Sequence, residues 1–285
     1  MTRTLLCFGF GYTAGVLAAR LRDDGWRIKG TTRRGEKLEQ LEAGGIEAHL
    51  FDRATPLTDA QIFEDVTHVL TSIAPDEVGD PVIDMHGRDL ENGPQLEWCG
   101  YLGTTAVYGD HQGGWVDETT PVSPTMPRAA RRVAAERQWL ESSLSAHIFR
   151  LAGIYGPGRN PFQNLKSGTA RRIVKPGQVF SRIHVEDIAN VLEASIRQPN
   201  PGRIYNVCDD EPAPPQDVVA YAADLIGFAP PPELDYETAE LSPIARSFYA
   251  DNRRVRNDRI KDELGVALQY PTYRTGLGRL LKEER

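Results

Sequence analysis

Residues 9–14 read Gly9-Phe10-Gly11-Tyr12-Thr13-Ala14, and they stand between the apolar run Thr4–Phe8 and a stripe of apolar residues at helical spacing, Val16, Leu17, Ala18 and Leu21. Few structures accept that string. The first glycine permits a tight turn, the second lets a ligand come close to the backbone, and the small Ala14 lets a helix lie close on the preceding strand. Unpaired N–H groups and the positive end of the dipole at the helix start suit an anionic group. A glycine turn that serves packing alone is the alternative.

The rest of the chain repeats the alternation that this turn begins. Trp26–Thr31, Glu47–Phe51, Val66–Ile73, Trp98–Thr104 and Ala146–Leu151 read as strands, and Tyr12–Arg22, Glu36–Ala43 and Met126–Ser143 read as helices. Strand–helix alternation predicts an α/β fold: a Rossmann-type doubly wound parallel sheet whose ligand sits along the strand C-terminal ends. From Ile154 the texture changes to a Gly- and Pro-rich loop, a helical stretch His184–Arg197, a strand Arg203–Val207 and several prolines. The expected organisation is a nucleotide-binding domain over 1–153, with 178–208 returning to it, and a small C-terminal substrate-binding lobe from 154–177 and 209–285. A length of 285 residues accommodates both.

In this fold the end of the second strand selects the dinucleotide. An acid there would bind the ribose 2′-hydroxyl of NAD. The stretch is instead Gly30-Thr31-Thr32-Arg33-Arg34, with no acid before Glu36. Two guanidiniums suit a 2′-phosphate through charge-assisted, bidentate bonds, so the expected cofactor is NADP, with NAD the alternative. A solvated arginine pair would look the same in sequence. Asp52, just past the third strand, either accepts from the adenine amino group or caps a turn. Ser72 and Ala74, at the fourth strand end, are expected near the nicotinamide ribose.

A net charge of −7 speaks against a nucleic-acid or membrane surface. Cys7, Cys99 and Cys208 are widely spaced, which reads as free thiols in a reducing compartment, and no His/Cys/Asp/Glu spacing suggests a metal. The first ten residues hold too short an apolar run for a signal-peptide core, and nothing later is long enough to span a bilayer, so the expected location is the cytoplasm.

Several later strings are similar to those of the extended short-chain dehydrogenase/reductase superfamily, in its epimerase/dehydratase branch. They are Leu102-Gly103-Thr104-Thr105-Ala106-Val107-Tyr108-Gly109-Asp110, then Asp117-Glu118-Thr119, Phe149–Gly158, Ile183–Ala189 and Ile204–Val207. The resemblance covers nearly the whole chain. It implies a hydride-transferring enzyme acting on a small polar substrate such as a sugar nucleotide, with Thr104 at the position that binds the reacting oxygen. It also implies a Tyr-x-x-x-Lys pair on the helix after Tyr108. Here that helix reads Pro127–Glu136, and the two positions hold Arg128 and Arg132. Arg132 can hold a ribose as a cation. Arg128 cannot exchange a proton near neutrality. Tyr108 is then the candidate substitute acid/base, alongside a pocket-lining role.

Two further departures mark an atypical member. The span between Ile73 and Trp98 leaves little more than Val82–Leu90 able to be helical, which puts the family's usual dimer in doubt, and the glycine turn is GxGxxA in place of GxxGxxG. Arg150, inside an apolar strand end, faces either a substrate anion or an internal acid such as Asp187, and Arg159 reaches either a phosphate or solvent. His184 reads as structural. Two functions stand: an NADP-dependent oxidoreductase or epimerase with an unorthodox acid/base, or a non-catalytic NADP-binding redox sensor.

Overall fold

The computed structural model describes residues 2–93 and 95–283. The chain opens with β1 (Thr4–Phe8), α1 (Tyr12–Asp23), β2 (Arg27–Thr32), α2 (Gly35–Ala43) and β3 (Glu47–Leu50). It continues through β4 (His68–Thr71), α3 (Pro81–Glu91), β5 (Trp98–Thr104), a short β6 (Trp115–Val116), α4 (Pro127–Glu141) and β7 (Ala146–Leu151). After β7 come β8 (Gly153–Tyr155), α5 (Phe162–Lys166), β9 (Arg172–Val174), β10 (Arg182–His184), α6 (Val185–Arg197) and β11 (Ile204–Val207). The chain closes with α7 (Pro215–Leu225), β12 (Glu233–Asp235), α8 (Pro243–Phe248), β13 (Arg254–Val255), α9 (Asp258–Leu264) and α10 (Tyr273–Glu283).

Seven strands form one sheet in the order β3-β2-β1-β4-β5-β7-β11. The pairs β2–β1, β1–β4, β2–β3 and β4–β5 are parallel. This is the strand order of a doubly wound Rossmann sheet, which reverses direction between β1 and β4. β1 is buried along its whole length, as a central strand covered on both faces must be. On one face Leu6, Phe8, Phe51, Val69, Tyr101 and Trp139 close a common core.

The chain divides into two compact units. Unit 1 comprises Met1–Thr104, Pro127–Arg150 and Ala189–Tyr205, and it holds nearly all of the large sheet. Unit 2 comprises Thr105–Met126, Leu151–Ile188 and Asn206–Arg285. Unit 2 packs Tyr155, Phe162, Ala222, Tyr273 and Leu277 into its own core and carries the parallel two-stranded ladders β10–β8, β12–β9 and β13–β6. Residues 105–126, 151–153, 178–188 and 206–208 fall in unit 2, whereas the sequence reading assigned them to the nucleotide-binding domain. β6, β8 and β10 are two or three residues long and pair inside unit 2, so no periodic pattern marked the boundary. The helix expected from His184 begins at Val185, because His184 pairs with Tyr155 as the last residue of β10.

Candidate functional site

The glycine turn is held by its neighbours in unit 1. Gly9 has φ +84°, a region that L side chains rarely adopt, and a Cβ there would stand 2.9 Å from both Ser72 Oγ and Ile73 Cγ1. Its N–H donates to Thr31 Oγ1 at 2.9 Å, and its carbonyl accepts from Ser72 Oγ at 2.6 Å. Gly11 N–H donates to the Gly9 carbonyl at 2.8 Å, which closes the turn. Phe10 lays its ring on Gly30 of β2, where a Cβ would come within 2.5 Å of the ring.

α1 then starts without a side-chain cap and without an acid in its first turn; its N-cap is Gly11. Gly11 is exposed, and a Cβ placed on it would meet only the Gly9 carbonyl, at 4.0 Å. Room for one side chain is therefore kept open in front of the helix start. Thr13 and Ala14 are buried beneath it, and Tyr12 is half-buried. An uncapped helix start with open space before it and no acid near it is what a diphosphate requires.

At the end of β2, Thr32 Oγ1 accepts from the Arg34 N–H at 3.3 Å. Arg33 and Arg34 are both exposed and form no ion pair among the described residues. Asp52 Oδ1 accepts from the N–H groups of Ala54 and Thr55, each at 2.9 Å, so this carboxylate shapes the turn after β3. Ser72 braces Gly9 as described, and Ala74 lies two residues along the same loop. Arg132, on α4, donates from Nη1 to Tyr101 Oη at 3.0 Å and to the Leu102 carbonyl at 2.9 Å. Its guanidinium carbon stands 5.7 Å from the centre of the Tyr101 ring. Burial pushes the Tyr101 phenol up, against the pull of Arg132.

Arg150 has an internal partner, and the expectation that it faces substrate is corrected. Its side chain is 5% exposed, and its fork grips Glu136 through Nε–Oε2 at 3.1 Å and Nη2–Oε2 at 2.8 Å. Burial raises the Glu136 pKa, and Arg150 opposes the rise. Asp187, the acid suggested for it, accepts instead from the N–H groups of Gln269 and Tyr270 within unit 2.

Unit 2 places Tyr108 wholly inside, donating from Oη to Asn206 Oδ1 at 2.8 Å. That position suits packing and leaves no open approach for a substrate oxygen. His184 accepts the Glu186 N–H on Nδ1 and lies against Tyr155 and Tyr270, a structural setting. Arg159 is exposed in the turn that it closes with Gly156. Arg253 is partly buried: its Nη1 donates to the Gly109 carbonyl at 2.8 Å and lies 3.3 Å from Asp251. Thr104 is half-buried at the end of β5 in unit 1, and Arg128 is exposed at the start of α4. Sequence reasoning missed the Arg150–Glu136 pair and the group formed by Arg53, Asp76 and Asp84. Each joins different elements through packing, and no local pattern announces them. Among the described residues no group of His, Cys, Asp or Glu could hold a metal ion, and no helix is long and apolar enough to cross a membrane.

A Rossmann sheet with a braced, uncapped glycine turn defines the class: a protein of the doubly wound dinucleotide fold. Residues 97–208 match the NAD dependent epimerase/dehydratase family. The chain is 28% identical over 280 residues to Protein YeeZ of Escherichia coli (strain K12), covering 92% of this chain and 94% of that one. A solved structure from Silicibacter pomeroyi DSS, described as a functionally unknown conserved protein, is 57% identical, with a TM-score of 0.91 and 99% of each chain covered. The human epimerase family protein SDR39U1, solved with NADPH, shares the fold at 14% identity and a TM-score of 0.74, covering 98% of this chain and 99% of that one. The match to the NAD dependent epimerase/dehydratase family thus covers the middle of the chain, and the fold is shared over nearly its whole length.

Proposed function

We propose that this protein binds a nicotinamide dinucleotide at the start of α1, prefers NADP, and acts as an oxidoreductase or epimerase-like enzyme on a small polar substrate, of which a sugar nucleotide is the example suggested by its family. The observation that carries the reading is the open, uncapped start of α1 behind Gly11, with the unpaired Arg33 and Arg34 at the neighbouring strand end. Backbone N–H groups of the turn hold the diphosphate, and the guanidiniums of Arg33 and Arg34 pair with the 2′-phosphate. Asp52 orients the turn at the adenine end. Arg132, fixed by Tyr101 and Leu102, faces the ribose as a cation. The dinucleotide, when bound, supplies or accepts the hydride. Thr104 donates to the reacting oxygen, and Arg159, exposed within unit 2, is the candidate ligand for an anionic group of the substrate. NADPH bound to SDR39U1 lends support only through the shared fold.

A second reading is a redox sensor that binds NADP without turnover. Tyr108 favours it: the only phenol suggested as a proton donor is buried and bonded to Asn206. The two readings share the binding site, so one titration tests their common part. Arg33→Ala with Arg34→Ala should weaken NADPH by about tenfold or more and leave NADH nearly unchanged, since a charge-assisted pair contributes roughly 1.5–3 kcal/mol. Equal loss for both dinucleotides contradicts the 2′-phosphate assignment. Turnover of a carbonyl or sugar-nucleotide panel that disappears in Thr104→Val supports the enzyme, and tight NADPH binding with no turnover supports the sensor.

A further inference from the structure

We propose that Arg53, Asp76 and Asp84 form an ionic clasp that closes the adenosine end of the dinucleotide site, which makes Arg53 a positioning residue for the cofactor. The proposal rests on the dinucleotide reading above and extends it to residues that contact each other and not the ligand.

Topology carries the argument. β3 is the edge strand of the sheet, and β2 and β1 stand between it and β4. Strands lie about 4.8 Å apart, so the ends of β3 and β4 are separated by roughly 14 Å. Loops leaving those two ends meet only by reaching past the ends of β1 and β2, where the glycine turn and Arg33 and Arg34 lie. They do meet. Arg53, from the loop after β3, sets Nε 2.7 Å from Asp76 Oδ2 and Nη2 3.1 Å from Asp76 Oδ1, in the loop after β4. The same Nη2 lies 2.7 Å from Asp84 Oδ2 on α3. A planar fork that engages two carboxylates at once fixes direction as well as distance.

Both ends of the clasp are prepared. Asp52 turns the backbone just before Arg53 by accepting from Ala54 and Thr55. Asp76 Oδ1 accepts from the Val78 and Gly79 N–H groups, and the Asp76 N–H returns to the Gly79 carbonyl at 3.0 Å. The arginine holds the Asp76 carboxyl down to about 2, so the acid stays charged through the physiological range. The loop that carries Asp76 is also fastened to the glycine turn through Ser72 and Gly9. One loop is thus pinned to the diphosphate turn at one end and to the far side of the adenosine at the other. With Arg53 27% exposed, the clasp is within reach of salt screening.

The test measures NADPH, 2′,5′-ADP and reduced nicotinamide mononucleotide on the full-length protein by calorimetry, for wild type, Arg53→Ala, Asp76→Ala and the double variant. The clasp predicts that each single variant binds NADPH and 2′,5′-ADP about tenfold more weakly, in line with the cost of ordering loose loop side chains on binding, and binds the mononucleotide as wild type does. The double variant should lose no more than either single one, because both remove the same contact. A merely structural staple would lower the melting temperature without this fragment selectivity. Binding of NADPH by Arg53→Ala within about twofold of wild type overturns the proposal. So does tighter 2′,5′-ADP binding in Asp76→Ala, which would make Arg53 a direct phosphate ligand. If the alanine variants do not fold, Arg53→Gln and Asp76→Asn carry the same comparison. Wild type that binds neither NADPH nor 2′,5′-ADP removes the dinucleotide reading itself, an outcome visible before any variant is measured.

Discussion

Single residues show how burial and pairing decide what a side chain can do. Arg150 and Glu136 are both buried and satisfy each other. Removing one partner strands a charge in the interior, so Arg150→Ala should cost about 3–5 kcal/mol, read as a large fall in melting temperature. Replacing both with apolar residues of similar volume should be far milder, and a mild Arg150→Ala would contradict the pairing. Asp209 is a second case. Burial, outweighing the pull of Arg182, raises its carboxyl from 3.8 to about 8. An acid whose folded pKa lies above its unfolded value binds its proton more tightly in the native state. Its contribution is full below the unfolded pKa and is lost as pH rises from about 4 to 8, with a slope of at most ~1.4 kcal/mol per pH unit. Asp209→Asn should flatten that part of the stability curve and raise stability at pH 8, checked by denaturant titration across pH. An unchanged slope would mean that Asp209 ionises as freely folded as unfolded. Neither setting was legible in the sequence. Arg150 was seen to need a partner, but Glu136 is on a helix and Arg150 on the following strand, and only packing brings them together.

At the scale of elements the sequence was more open. β1, the turn and α1 were legible because the signal is local: an apolar run, two glycines and a helical stripe within about twenty residues. β4 is shorter than its apolar run, because pairing with β1 and β5 ends at Thr71. α4 was placed almost to the residue, Pro127–Glu141 against the expected Met126–Ser143. What the helix does with Arg132, bonding it to Tyr101 and the β5 backbone, follows from the packing of α4 on β5 and from no spacing. α10 gives the element-scale prediction. Gly276 lets this helix lie on Tyr155, whose phenol oxygen a Cβ would meet at 2.1 Å and whose ring carbons at 2.6 and 2.7 Å. Gly276→Ala should therefore destabilise the protein by about 1–3 kcal/mol through overpacking, although alanine is the better helix former. A stabilised variant would show that Tyr155 moves aside freely.

For the whole molecule, strand order places the candidate groups. The β3-β2-β1-β4 half of the sheet brings together the glycine turn after β1, the arginines after β2, Asp52 and Arg53 after β3, and Ser72 and Asp76 after β4, all on loops that leave strand C-terminal ends. Alternation alone predicted this gathering, since a parallel sheet has no other way to arrange its loops. The division into units was less legible, because unit 2 is built from three separated segments with very short strands. The central claim is that backbone amides behind Gly11 grip a dinucleotide diphosphate, and Gly11→Ala tests it most directly. The backbone there has φ −99°, and an added methyl meets no protein atom nearer than 4.0 Å, so the folded state accepts it. Thermal melts and NADPH titration of wild type and Gly11→Ala should show an equal or slightly higher stability, by about 0.4–1 kcal/mol, together with a large loss of NADPH affinity, because the methyl stands where the diphosphate must come. NADPH binding that is undiminished in Gly11→Ala, or absent from the wild type, would contradict the account.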